Sequence, residues 1–482
     1  MANCRLLENM FAKHLYCILQ RNAKEVKNMT EVVARCIREQ PRFRGIFPDN
    51  GKFGRGSALS LPEVCCDGDV FIEHSIWGRL MSQNTCADKN ICALEIEAAS
   101  FFGASGAVAF KSGVDAVRMA VRLAAEEIYG SAGVADVPGA GVKKGALSGK
   151  RVFCADFMPP RAVNVVIEEG GEPVFIDVSP EDWCMDPEVL EIAFKEYRDV
   201  KLVVMNYTYG FPGQVEEVKK ICRGHGALLI EDASEGMGAK VNGRQAGSLG
   251  DYGILDFDRS AIAAGVSGGM LLVHDSCKYE KVKCQAAHGG AGKGFGMEDA
   301  AAVFLHSYFK NFGEYIAKKK AIYQRYLEKF DGGFISMNPV GGQVEPNYWM
   351  SCMVCDSSIQ FQETRSGRNY TYTDQHGTAS PMEVCDALAA FGAQAGPVYR
   401  PLSSYPRFQQ YDQVSLDGCR KSWKFGDGGF WVRSDVSRDC FERGLCLPSD
   451  VRMTEEEQGR VIEIVLACFN RIDFDRSNML FV

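Results

Sequence analysis

Short apolar runs in the middle of this chain end in polar groups that can do chemistry. Asp156 follows RVFCA, Asn206 ends KLVVMN and Asp232 ends ALLIED, while Asp256 lies within GILDFD. A carboxylate at the end of an apolar strand can point into a ligand crevice, and it can equally serve as a cap or turn residue. Glu235 adds a second carboxylate just after Asp232. Ser112, Gly113, Val114 and Asp115 stand where a helical pattern begins. Backbone N–H groups at a helix start can cradle an anion, and a glycine there allows close approach. Asp115, however, places a negative charge at that helix end, where it is also a sound structural residue by itself. Lys111 and Arg259 are cations that could offset the carboxylates or simply sit in solvent. His288, in a glycine-rich stretch, and Arg400, in PVYRPLSSYPRF, are open to the same two readings, ligand contact or exposed surface residue. The single C-x-x-C, Cys352 to Cys355, lies in YWMSCMVCDS. That segment reads as a buried strand and lacks a second pair to complete a zinc site, so no metal is expected.

These residues need a scaffold, and the pattern supplies one. From about residue 150 apolar runs of strand length alternate with helical stretches. RVFCAD precedes PRAVNVVIEEG, PVFIDV precedes PEVLEIAFKEY, and KLVVMNY precedes VEEVKKICRGHG, with ALLIEDA, GILDFD and GGMLLVHD as further strands. Such alternation predicts an α/β fold with a mostly parallel central sheet covered by helices. Ligands of such sheets bind beyond the carboxyl ends of the strands. Asp186 before Pro187 is a good helix start. A long helix is expected over about 300–330, and Thr454 with Glu457 fits a capping box opening the last helix. The expected divisions are an N-terminal extension over 1–75, helical then irregular, a large domain over 76–330, and a smaller C-terminal α+β domain over 331–482. Gly130 to Lys150 reads as a surface loop inserted between a helix and a strand.

Composition narrows the function class. A net charge of −8 on 482 residues disfavours a nucleic-acid partner. No apolar run is long enough for a membrane span, and the charged N-terminus does not resemble a signal peptide. The nineteen cysteines then read as reduced thiols, and a cytoplasmic location is expected.

The ordered segments VFCADFMPPRAVNVVIEEGGEPVFIDV, VKLVVMNYTYGFPGQVEEVKKICRGHGALLIEDASEGMG and SLGDYGILDFDRSAIAAGVSGGMLLV, with FERGLCLPSDVRMTEEEQ near the end, resemble one known family. It is the DegT/DnrJ family of sugar aminotransferases that depend on pyridoxal phosphate (PLP). Within it, the resemblance is to enzymes that aminate a 4-keto-6-deoxy UDP-sugar, and it runs from Asn90 to Ile472. It implies a fold type I PLP-transferase architecture and a nucleotide-sugar ligand. It also implies an active site shared across a dimer, either a homodimer or a heterodimer with an active homologue. It places Asp232 against the pyridine nitrogen of PLP and Glu235 near the phenolic oxygen. Gly113, Val114, Asp115 and Asp256 fall in the phosphate cradle, Pro159 at the ring-stacking position, and Arg400 and His288 on the substrate side.

The same resemblance places the Schiff-base lysine at Ala261, and no lysine lies between Lys240 and Lys278. Alanine can neither form the Schiff base nor move a proton. Val114 and Asp256 replace hydroxyl residues, Pro159 an aromatic and Ser403 a histidine of the family pattern. Phe157 either substitutes for the stacking ring or belongs to the core. Three functions follow. The chain is a non-catalytic paralogue, an active aminotransferase carrying an engineered lysine-to-alanine change, or a non-enzymatic binder of a sugar nucleotide or partner. The number of departures around one pocket favours the first.

Overall fold

The computed structural model describes residues 89–130, 145–257, 267–287, 296–330, 335–342, 344–355, 363–366, 369–372, 379–420 and 435–479. The expected extension over 1–75, most of the Gly130–Lys150 loop, Ala261, Arg259 and His288 lie outside them. Two compact units are present. The larger takes its described residues from 89–354 and 397–451, the smaller from 355–396 and 452–479.

The larger unit is built on a nine-stranded sheet. Its strands are β1 (Gly106–Phe110), β2 (Arg151–Ala155), β3 (Glu172–Ile176), β4 (Leu202–Asn206), β5 (Leu228–Asp232), β6 (Tyr252–Asp256), β7 (Gly269–Val273), β8 (Gln413–Ser415) and β9 (Gly418–Arg420). They lie in the order β1-β7-β6-β5-β4-β2-β3-β8-β9. The run β6-β5-β4-β2-β3-β8 is parallel, while β7 runs antiparallel to both β1 and β6. The mostly parallel sheet read from the strand–helix alternation is therefore present. Residues Leu202–Asn206, Tyr252–Asp256 and Gly269–Val273 are buried throughout. That is what a sheet covered by helices demands, and it explains why these strands read as unbroken apolar runs.

The helices of this unit are α1 (Lys89–Phe102), α2 (Gly113–Tyr129), α3 (Arg161–Glu168), α4 (Pro187–Glu196), α5 (Val215–Gly224), α6 (Ser276–Ala287) and α7 (Asp299–Phe330). Helix α2 packs on α3 and across β6 and β7, and α4 packs on α5. Asp186 caps α4 by accepting from the backbone of Glu188 (2.7 Å) and Val189 (3.4 Å). The C-x-x-C segment is the buried strand Ser351–Cys355, and it pairs antiparallel with Gly444–Leu447. Cys352 stands opposite Cys446, with 3.7 Å between the sulfurs. In the smaller unit α8 (Pro381–Ala390) packs on α10 (Glu455–Met479), the helix α9 (Val436–Arg443) between them in sequence belonging to the larger unit. Thr454 and Glu457 form the expected reciprocal cap at the start of α10, and Ser380 with Glu383 makes a second one on α8. Among the described residues no helix is long and apolar enough to cross a membrane.

The end of β5 and the turn that leads into β6 are held together by a buried carboxylate, Glu231. Glu231 accepts from the backbone N–H groups of Gly247 (2.9 Å) and Leu249 (2.7 Å), and also from Gly250 N–H and the Tyr207 hydroxyl. It thereby fixes the turn that feeds β6 and sets where Asp256 emerges. Truncation would orphan all of these donors in a fully buried place, at about 1–3 kcal/mol for each unsatisfied group. Glu231→Ala is therefore expected to lower stability by more than about 3 kcal/mol in denaturant unfolding, and Glu231→Gln by clearly less. Equal losses would show that side-chain volume, not donor satisfaction, sets the cost.

Candidate active site

Four chain segments meet at the carboxyl ends of β2, β5 and β6. The turn after β2 carries Phe157, Pro159 and Pro160 into α3, whose first residue is Arg161. A cation at a helix N-terminus opposes the helix dipole, and α3 has no acidic residue in its first turn and no side-chain cap. Arg161 is nevertheless nearly buried, because two carboxylates fix it. Its Nε donates to Asp232 Oδ2 (3.1 Å), and its Nη2 donates to Asp232 Oδ1 and Oδ2 (both 2.8 Å). Its Nη1 donates to Asp256 Oδ2. Burial opposes the charge on the guanidinium, but Asp232 and Asp256 outweigh it and hold its pKa above the ordinary arginine value. Ser234 completes the shell of Asp232, its hydroxyl donating to Oδ1 at 2.5 Å.

Asp256 meets a second partner. Gly113 opens α2, and a β-carbon at Gly113 would collide with the Asp256 carboxyl group. The carboxylate thus sits against the N-terminus of a seventeen-residue helix, where the dipole favours an anion. Ser112 and Asp115 are engaged with each other. Ser112 Oγ donates to Asp115 Oδ2 (2.6 Å) and accepts from the Asp115 N–H (3.2 Å). Val114 and Lys111 are exposed. Neither Lys111 nor Arg259 was needed to explain the offset of Asp256, since Arg161 supplies it. Sequence reading overlooked Arg161. The signal available was an arginine at the unfavourable end of a helix that follows a ligand-side strand.

Glu235 is buried among aromatic residues. It accepts from the Tyr209 N–H (2.9 Å) and the Tyr399 hydroxyl (2.6 Å). Tyr209 stacks on Tyr399 at 4.7 Å, and its phenol oxygen accepts from the Tyr399 N–H. Tyr209 holds a positive φ of 58°. The next residue, Gly210 (φ 86°), lies so close to Asn347 that a side chain has no room. Phe157 is fully buried, edge-on to Trp183, Tyr209 and Tyr399, so it belongs to the core. Pro159 is half-buried in the turn before α3. Arg400 is exposed and folds back on its own turn, donating to Ser404 Oγ (2.9 Å) and Ser404 O (2.8 Å). Ser403 instead anchors Asp156, donating through its N–H and its hydroxyl, both at 2.7 Å. Among the described residues no group of three or more His, Cys, Asp or Glu is arranged to hold a metal.

The charges of this pocket do not fit PLP. The carboxylate that the family resemblance sets against the pyridine nitrogen is occupied on both oxygens by a guanidinium. The helix start that the resemblance assigns to the phosphate is occupied by Asp256, whose negative charge opposes that of a dianionic group. Opening the pocket by breaking such a buried pair costs about 3–5 kcal/mol, because the remaining charge is left uncompensated.

Burial raises the pKa of three carboxyls here to about 7: Asp156, Asp182 and Glu235. For Glu235 the ordinary value is 4.5. The folded state therefore holds the proton more tightly than the unfolded chain. Its contribution to stability is complete below pH 4.5 and is lost as pH rises to about 7. The loss is on the order of 3 kcal/mol. Glu235→Gln is expected to flatten the fall in urea-unfolding stability across that window. A variant whose stability falls as steeply as the wild type's would show that Glu235 is ionised in the folded protein at acid pH.

Comparisons with known proteins agree with the architecture. The model of the DegT/DnrJ/EryC1/StrS aminotransferase family matches residues 74–466. The putative pyridoxal phosphate-dependent aminotransferase EpsN of Bacillus subtilis (strain 168) is 28% identical over 398 residues, spanning 79% of this chain and 88% of that protein. A UDP-N-acetyl-3-dehydro-alpha-D-glucosamine 3-aminotransferase of Acidithiobacillus ferrooxidans is 26% identical over 50% of this chain and 62% of its own length. Helicobacter pylori PseC, an aminotransferase involved in the biosynthesis of pseudoaminic acid, superposes with a TM-score of 0.66 at 16% identity, covering 86% of this chain and all of that one. An Escherichia coli GDP-4-keto-6-deoxy-D-mannose-3-dehydratase with bound hydrated PLP gives 0.65 at 17% identity. These structural likenesses concern the fold, which is that of fold type I PLP-dependent enzymes. With four-fifths of its length matched by the family model, this chain belongs to the DegT/DnrJ/EryC1/StrS aminotransferase family.

Proposed function

We propose that this chain is a member of the sugar aminotransferase family that does not transaminate, and that it serves as a non-catalytic subunit or partner of an active homologue. The observation that carries this is the guanidinium of Arg161 on both oxygens of Asp232. It removes the group on which the electron-sink chemistry of PLP depends. Ala261 at the Schiff-base position, together with Pro159, Val114 and Ser403 elsewhere in the family pattern, points the same way. An active enzyme carrying one engineered lysine-to-alanine change would need no Arg161–Asp256 pair. The alternative of a sugar-nucleotide binder gains no support from Arg400, whose donors are turned onto Ser404. The fold and the family's shared-site dimers are what a partner role would use.

Purified protein supplied with PLP, glutamate and a UDP-4-keto-6-deoxy-sugar is expected to give no amino sugar above the uncatalysed background by mass spectrometry. Turnover at a rate ordinary for enzymes, about 1 per second or faster, would overturn the proposal.

A further inference from the structure

The pocket is not merely missing a lysine; it carries charges of its own in a definite order. Asp256 sits against the first turn of α2, and Arg161 joins it to Asp232. The family resemblance puts a phosphate and a ring nitrogen at those two ends. We infer that Arg161 and Asp256 act together as an internal surrogate for the cofactor, the carboxylate standing in for the phosphate and the guanidinium for the protonated ring nitrogen. The inference deepens the non-catalytic reading and rests on it.

Each member makes sense only with the others. Asp232 alone is a nearly buried anion, and Asp256 alone would bring a second one into the same space. Arg161 alone would be a cation at the positive end of a helix. Together they form a charge chain from the end of β5 to the start of α2, tying α3 to both. The arrangement satisfies the helix start and the strand-end carboxylate without any bound molecule. The folded state is then complete without PLP, and restoring the lysine alone does not restore binding. The cluster closes both ends to the cofactor, with Asp256 against the helix start and Arg161 on both oxygens of Asp232.

The test is PLP retention, read by absorbance after desalting and by the shift in melting temperature on adding PLP. Wild type and Ala261→Lys are expected to retain none and to show no shift. A triple variant, Ala261→Lys with Arg161→Ala and Asp256→Ser, is expected to retain PLP and to show a rise in melting temperature on adding it. A second triple variant, with Arg161→Gln and Asp256→Asn, removes the charges while nearly keeping the volume, and covers the case in which the first fails to fold. Circular dichroism reports folding of both. PLP retained by the wild type or by Ala261→Lys overturns the surrogate and, absent turnover, leaves the non-catalytic reading standing. A folded triple variant that retains no PLP also overturns the surrogate. Amino-sugar formation by the wild type overturns the non-catalytic reading instead.

Discussion

One guanidinium between two buried carboxylates is the constraint from which the rest of the pocket follows. Two anions at the ends of adjacent parallel strands cannot share a nearly dry crevice without a cation, and Arg161 is that cation. Its position is dictated from two sides. The Pro159–Pro160 turn after β2 starts α3, and the helix start that would otherwise repel a cation is overruled by the carboxylates. Asp256, in turn, is pulled between the guanidinium and the N-terminus of α2, which is why Gly113 must lack a side chain.

Energetics explain why such a replacement is stable. A buried ion pair is seldom a net gain over apolar packing, but removing one partner leaves an uncompensated charge and is costly. A strand-end carboxylate without a cation is just such a charge. A cation nearby relieves it, and a second carboxylate balances the cation against the helix start. Deeper in the unit the charges are handled differently. Glu235 and Asp156 sit among hydroxyl and N–H donors without a cation bonded to them, and burial pushes both up to about 7. The unit therefore handles its buried carboxyls in two ways, pairing Asp232 and Asp256 with a cation and leaving Asp156 and Glu235 to take up protons.

Much of this was legible in the sequence, and the part that was not has a clear cause. Strand and helix alternation, the strand ends at Asp156, Asn206 and Asp232, the long helix ending at Phe330 and the Thr454–Glu457 cap all follow from local patterns, and the structure has them. The C-x-x-C was readable as a strand from its apolar neighbours. Pairing across the sheet is another matter. Arg161 lies 71 residues from Asp232 and 95 from Asp256, and no periodicity links them. The partner of Cys352 is Cys446, 94 residues away, and Glu235 receives its hydroxyl from Tyr399, 164 residues away. Such contacts are set by strand order, in which β2 is inserted between β4 and β3. Ser403 looked like the loss of a histidine, yet it is the anchor of Asp156, a role visible only once residues 400–404 are placed beside β2.

The most direct measurement is a double-mutant cycle between Arg161 and Asp232, using Arg161→Met, Asp232→Asn and the double variant in denaturant unfolding. If the fork between them is the constraint that organises the pocket, each single change is expected to cost about 3–5 kcal/mol. The double variant should then lose much less than the sum, giving a coupling of about 2–3 kcal/mol. A coupling below about 0.5 kcal/mol would contradict it, since the two groups would then be stabilised independently.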